Sequence, residues 1–205
     1  PLNRLEIAPV LADAERRIRT SAIFTPDQTF RLFVCNDLWK FYIFSQRGRT
    51  NAGGVADGWL TRNIYFRPAD FAHNQIIPPS GWMYDRSDRP LSYFIAHEAT
   101  HIMESRRFGR LAAVRHPAWL MEGYADYVGK AGQFDVQRNL ALLKTGDPLL
   151  DPAKSGLYRR YHLAVAYELD HRRQTVEQVF SASRREESVL AGLTSDPTFG
   201  PSLRP

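Results

Sequence analysis

Residues His97-Glu98-Ala99-Thr100-His101 sit inside a stretch whose spacing predicts one long helix over 90–108. Histidines four apart on a helix are about 400° apart in rotation, so they share one face a turn apart. Their imidazoles can then converge on one cation, and neutral imidazole is a good zinc ligand. Glu98 lies about 100° round from His97, where it can serve a water at that cation as a general base without being a ligand. With six histidines in the chain, a chance match to this pattern has roughly a 1% expectation. The helix itself is well marked. Pro90 suits the first helical position and Gly109 the residue just past the end. Arg106 and Arg107 complement the dipole in the last turn. Leu91, Ile95 and Ile102, with Phe94 beside them, form an apolar stripe that would bury the helix and leave the histidine face toward a cleft.

The elements around this helix set the fold class. A helix is predicted over 9–20 from Val10, Leu11, Ala14 and Ile18, and a strand over 30–35. Asn36 and Asp37 offer an N-cap for an apolar helix over 38–45. Residues 48–58, with Gly53-Gly54, read as a loop, and 61–66 as a second strand ending before Pro68. Pro78-Pro79-Ser80-Gly81 marks a turn, and Asp85, Asp88 and Arg89 a turn and cap before the histidine helix. Further helices are predicted over 117–128, stopped by Gly129, and over 157–171, 176–182 and 184–193, with Thr175 and Gln178 as a capping box. Mixed strands and helices first, then helices only, is an α+β order. At 205 residues one domain is expected, over 1–193, with 194–205 as a flexible C-terminal tail rich in proline.

Composition narrows the function classes. The net charge is 27 − 22 = +5, but the basic residues are dispersed with no block of five, so no specific nucleic acid is expected as partner. No stretch approaches 18 apolar residues, so no membrane span is expected in this chain. The single cysteine, Cys35, excludes a disulfide framework and a multi-cysteine zinc site, and reads as a small buried hydrophobe. Of the other histidines, His73, His116 and His171 have no ligand spacing among themselves, though His116 precedes the helix over 117–128 closely enough to line a cleft.

An open two-histidine site needs a third protein ligand. The candidate is Glu122, with twenty residues between it and His101, in Trp119-Leu120-Met121-Glu122-Gly123-Tyr124-Ala125-Asp126-Tyr127. This combination over residues 91–128 resembles the gluzincin zinc metallopeptidases, small bacterial members included. The resemblance implies a zincin-like domain, Zn²⁺ held by His97, His101 and Glu122, Glu98 as general base, and a peptide or protein substrate cut as by an endopeptidase. It also implies that Asp126, one turn after Glu122, supports a ligand histidine, and that Gly123 lets the two metal-bearing helices pack closely. The stretch Tyr158-Arg159-Arg160-Tyr161-His162 resembles the family's oxyanion-stabilising segment more weakly. In that register Tyr158 takes the stabilising position, with Tyr161 and His162 as alternatives. The strand over 61–66 is the expected edge for an extended peptide. Related bacterial proteins carry a leader, so an extracytoplasmic location is expected. The alternative function is a peptide- or protein-binding module that keeps a remnant or structural zinc site without cleaving.

Overall fold

The computed structural model describes residues 4–45, 52–77 and 89–199. The turn expected at 78–81, Asp85, Asp88, the start of the loop expected from Gly48, and the chain beyond 199 lie outside the described residues. The fold is α+β: a small mixed sheet in the N-terminal part, then mainly helices. The described chain forms two compact units. One comprises residues up to Leu111 with Val128–Ala131, the other Ala112–Tyr127 with the described residues from Gly132 onward.

In the first unit, α1 (Arg4–Ile18) starts earlier than predicted and accommodates Pro9 in its second turn. Val10, Ala14, Arg17 and Ile18 are its buried face, at helical spacing. The sheet consists of β1 (Arg31–Val34), β2 (Gly54–Ala56) and β3 (Asn63–Phe66). β3 lies in the middle, parallel to β1 and antiparallel to β2. Ile64 and Phe66 point to the core, while Tyr65 stacks with Phe33 and Phe44 on the other face, the period-2 alternation of a sheet with two unlike faces. Between β1 and β2, α2 (Leu38–Phe44) follows Asp37, whose carboxylate pairs with Lys40 rather than capping an amide. Cys35 is buried against Phe41 and Val55. Arg67, 1% exposed, is buried after β3; its Nη2 donates to the Tyr42 hydroxyl at 3.4 Å.

Two departures from the sequence expectation matter for the site. The strand expected at 61–66 as an edge is central, and the edges are β1 and β2, the latter from a segment expected to be a loop. Its glycines weaken the local strand signal, but pairing with β3 supplies the hydrogen bonds that define it. A small hairpin of β4 (Ala69–Asp70) and β5 (Gln75–Ile76) was also not predicted. Its Asn74, at φ 52°, accepts from Leu91 N through its carbonyl and from Ser92 N through Oδ1, at 2.8 and 2.9 Å. It therefore caps α3 (Leu91–Phe108), whose own N-cap residue, Pro90, has no side-chain acceptor.

α3 is the histidine helix, and it is buried on all sides over Leu91–Thr100 rather than along a stripe. Its buried polar side chains are bonded, as burial requires. Ser92 Oγ donates to Asp13 at 2.6 Å, and Thr100 Oγ1 to Ala96 O at 2.8 Å. Asp13 also takes Arg17 Nε at 2.8 Å, and Arg17 Nη1 reaches Gly129 O at 2.6 Å, which fastens α1 within the unit. Gly109, at φ 97°, ends α3 as expected.

The second unit opens with α4 (Ala112–Arg115) and most of α5 (Ala118–Lys130), whose end from Val128 belongs to the first unit; α5 runs through Gly129 and stops at Ala131 and Gly132, both at positive φ. Gly129 fills a different need: a Cβ there would lie 2.8 Å from the Tyr93 ring of α3. Gly123 lies against α8 (Arg159–Ala166), where a Cβ would meet Tyr161 O at 2.7 Å. The remaining helices are α6 (Val136–Lys144), capped by Asp135, α7 (Pro152–Ser155), α9 (Val176–Ser181) and α10 (Glu186–Ser195). α8 continues as a π-helical turn over Tyr167–His171, where buried Glu168 pairs with Arg172 and Arg184. The capping box of Thr175 and Gln178 is present. α10 runs through Ser195, and Phe199 packs on Tyr167 and His171. No helix among the described residues is long and apolar enough to cross a membrane.

Candidate metal centre

β2 runs alongside α3, and glycines make this possible. A Cβ on Gly53 would meet the Phe94 ring at 2.7 Å, and one on Gly54 would lie 3.0 Å from Glu98 Cγ and 2.7 Å from Phe66. Further on, a Cβ on Gly58 would lie 3.1 Å from Ser105 Cβ, and Ser105 Oγ donates to Gly58 O at 2.5 Å. Main-chain contact therefore tracks the helix from Phe94 past Glu98 to Ser105. Arg67 N bonds Gly53 O and Asp57 N bonds Asn63 O, so positions 53, 55 and 57 face β3. Gly54 and Ala56 turn their N–H and C=O to the outer edge, where no further strand pairs among the described residues.

On α3 the two histidine rings are 4.9 Å apart and nearly perpendicular. His101 Nδ1 bonds Glu104 Oε2 at 2.8 Å, and Glu104 is fully buried. A carboxylate can only accept, so Nδ1 carries the proton and Nε2 keeps the lone pair a metal needs. His97, 4% exposed, has the Tyr93 hydroxyl 3.4 Å from its Nδ1, a longer and weaker contact. Neither Glu104 nor Tyr93 was singled out from the sequence. Both lie on the same helix, at i+3 from His101 and i−4 from His97, and that spacing was the available signal.

Glu122 lies on α5. One ligand atom from each of His97, His101 and Glu122 falls within 4.8 Å of the others. Tetrahedral ligands about 2.0–2.2 Å from a metal are about 3.3–3.6 Å apart, a separation of the same order. Two imidazoles and one carboxylate, one imidazole already oriented by a buried carboxylate, fit a zinc-type cation with an open fourth position. Glu98 is outside this group of three; it is 7% exposed, beside Gly54 of the edge strand.

Asp126 is 1% exposed and pairs with His162 Nδ1 at 2.9 Å, and the Phe134 ring stacks on His162 at 3.7 Å. Asp126 and His162 thus come together as one buried unit. Tyr158 precedes α8 and stacks with Tyr161, rings 6.1 Å apart. Burial pushes the Tyr161 hydroxyl above the usual phenol range; the Glu186 and Glu122 carboxylates add to this and Arg160 opposes it. Tyr127 donates to Asp170 at 2.7 Å. The remaining histidines have local roles: His73 pairs with Asp70, His171 with Asp196, and His116 packs edge-on against Phe180. Trp119 and Leu120 are buried. Comparison of the chain with protein-family models, with curated proteins and with solved structures gives no match.

Proposed function

We propose that this chain is a zinc-dependent peptidase of the gluzincin type, its zincin-like domain spanning 1–193. The observation that carries the reading is that one ligand atom from each of His97, His101 and Glu122 lies within 4.8 Å of the others. The Glu98 carboxylate next to His97 supplies the one further group that hydrolysis needs.

A divalent cation held by these three residues would act as a Lewis acid on the scissile carbonyl and bring the pKa of a water toward about 7. Glu98 accepts the proton of the attacking water and returns it to the leaving amine. Glu104 keeps His101 in the tautomer that can ligate. Tyr158 is the proposed donor to the oxyanion, ahead of Tyr161 and of His162, whose Nδ1 is already bonded to Asp126. Asp126 acts through His162, holding it in place. The outward N–H and C=O groups of Gly54 and Ala56 pair with an extended peptide, so the substrate crosses Glu98 along β2.

The test has two parts. Purified protein, dialysed and offered zinc, should hold about one equivalent, and Glu122→Ala should hold it far more weakly. Wild type should cleave members of a mixed peptide library, and Glu98→Gln should keep the metal while losing at least about 100-fold in kcat. Zinc retained with no cleavage by wild type would favour the binding-module alternative. No zinc retained would overturn the metal site itself.

A further inference from the structure

We propose that Trp59 and Leu60 form an apolar anchor for the substrate, selecting peptides with a bulky apolar residue four or five positions from the scissile bond. The proposal rests on the peptidase reading above. It concerns the tip of the β2–β3 hairpin, which no part of that mechanism uses.

The two side chains are 60% and 69% exposed, among the most exposed large apolar groups of the described chain. The backbone that carries them is held tightly. Asp57 accepts from Trp59 N, Leu60 N and Thr61 N at 3.0–3.1 Å, and from Thr61 Oγ1 at 2.7 Å. Gly58 O, one residue before Trp59, is tied to Ser105 on α3. One carboxylate and one helix hydroxyl thus hold the backbone of a turn that carries Trp and Leu largely exposed.

Their position gives them an occupant. β2 passes Glu98 at Gly54, and the turn that follows it meets α3 again at Gly58, near the end of the same helix. Four residues of an extended peptide at about 3.3 Å each cover about 13 Å. A peptide paired to the outward amides of Gly54 and Ala56 and extended by that length arrives at Trp59 and Leu60. The backbone pairing along β2 is blind to sequence, because it uses only main-chain groups. The tip is where the same strand can read a side chain, and an indole beside an isobutyl group is suited to an aromatic or large aliphatic one. The pairing direction puts this contact on one flank of the scissile bond only.

The experiment uses the zinc-loaded full chain and a library of twelve-residue peptides, read by mass spectrometry of the cut sites. Wild type should enrich Phe, Trp, Tyr, Leu or Ile at one position, four or five residues from the cut, on a single flank. Trp59→Ala with Leu60→Ala should lose that enrichment and raise KM about tenfold for the best peptide, and Trp59→Phe should keep it. In a second readout, Glu98→Gln should bind that peptide about tenfold more tightly than the same peptide with Ser at the selected position. Cleavage with no such preference, or with a preference that the double variant retains, overturns the proposal and leaves the peptidase reading intact. No cleavage of any peptide overturns the peptidase reading and this proposal with it.

Discussion

Removal of the Glu104 carboxylate should weaken the metal site without touching a ligand. Glu104 is fully buried and bonded to His101 Nδ1 at 2.8 Å, a charge-assisted length. Loss of such support behind a ligand imidazole costs about 10–100-fold in affinity, or about 1.4–2.7 kcal/mol. Glu104→Ala, which also leaves a buried N–H without its acceptor, should fall at the upper end. Glu104→Gln keeps an acceptor and loses the charge, so it should lie near tenfold. Tyr93→Phe is the internal control: its hydroxyl is 3.4 Å from His97 Nδ1, and removing so long a bond should change affinity by no more than about threefold. Zinc affinity can be read by competition with a chromophoric chelator at fixed pH. Equal affinities for wild type, Glu104→Gln and Glu104→Ala, in folded protein, would refute the assignment of Glu104 as the group that orients His101.

Other outcomes follow from the same geometry. Gly54→Ala places a methyl 2.7 Å from Phe66 and 3.0 Å from Glu98 Cγ; overpacking there should cost about 1–3 kcal/mol in urea unfolding and lower kcat by displacing Glu98. Burial raises the Asp13 carboxyl, but hydrogen bonds from Ser92, Arg17 and Arg16 outweigh it and hold the group at about 2. A depressed carboxyl stabilises the fold above its unfolded pKa near 4 and loses that contribution as pH falls toward 2. Since Asp13 is partly exposed, about 1 kcal/mol should disappear over that interval, and Asp13→Asn should flatten the stability–pH curve there. Arg67 is buried with Nε and Nη1 lacking partners among the described residues, so Arg67→Met should leave the thermal midpoint unchanged or raise it; a large fall would mean that the guanidinium has a partner that these contacts do not include.

The parts of this site that were legible in the sequence are those that depend on neighbours along one helix. His97, Glu98 and His101 share α3 because a rotation of about 100° per residue puts them there, whatever surrounds the helix. Glu104 and Tyr93 obey the same rule and were equally readable. The capping box at Thr175 is local in the same way. Glu122 was found only because its flanking residues resemble a known pattern; nothing in helical spacing links it to His101 across twenty intervening residues. The partner of Asp126 was beyond reach for the same reason, since His162 comes from α8, 36 residues on.

By itself, then, the sequence determined a metal-ready helix, the α+β order of elements and the apolar positions of most helices, because periodicity and capping act over a few residues. Only the tertiary structure decided that 54–56 is an edge strand and not a loop, that 63–66 is its central neighbour, that Asn74 caps α3, and that Gly129 meets Tyr93 while Gly123 meets α8. Each of these depends on what a distant segment places opposite the residue. A glycine records that something comes close, but not which element it is. A backbone amide is satisfied equally by a strand, a hairpin or a side chain, so only the assembled chain determines which one supplies the bond.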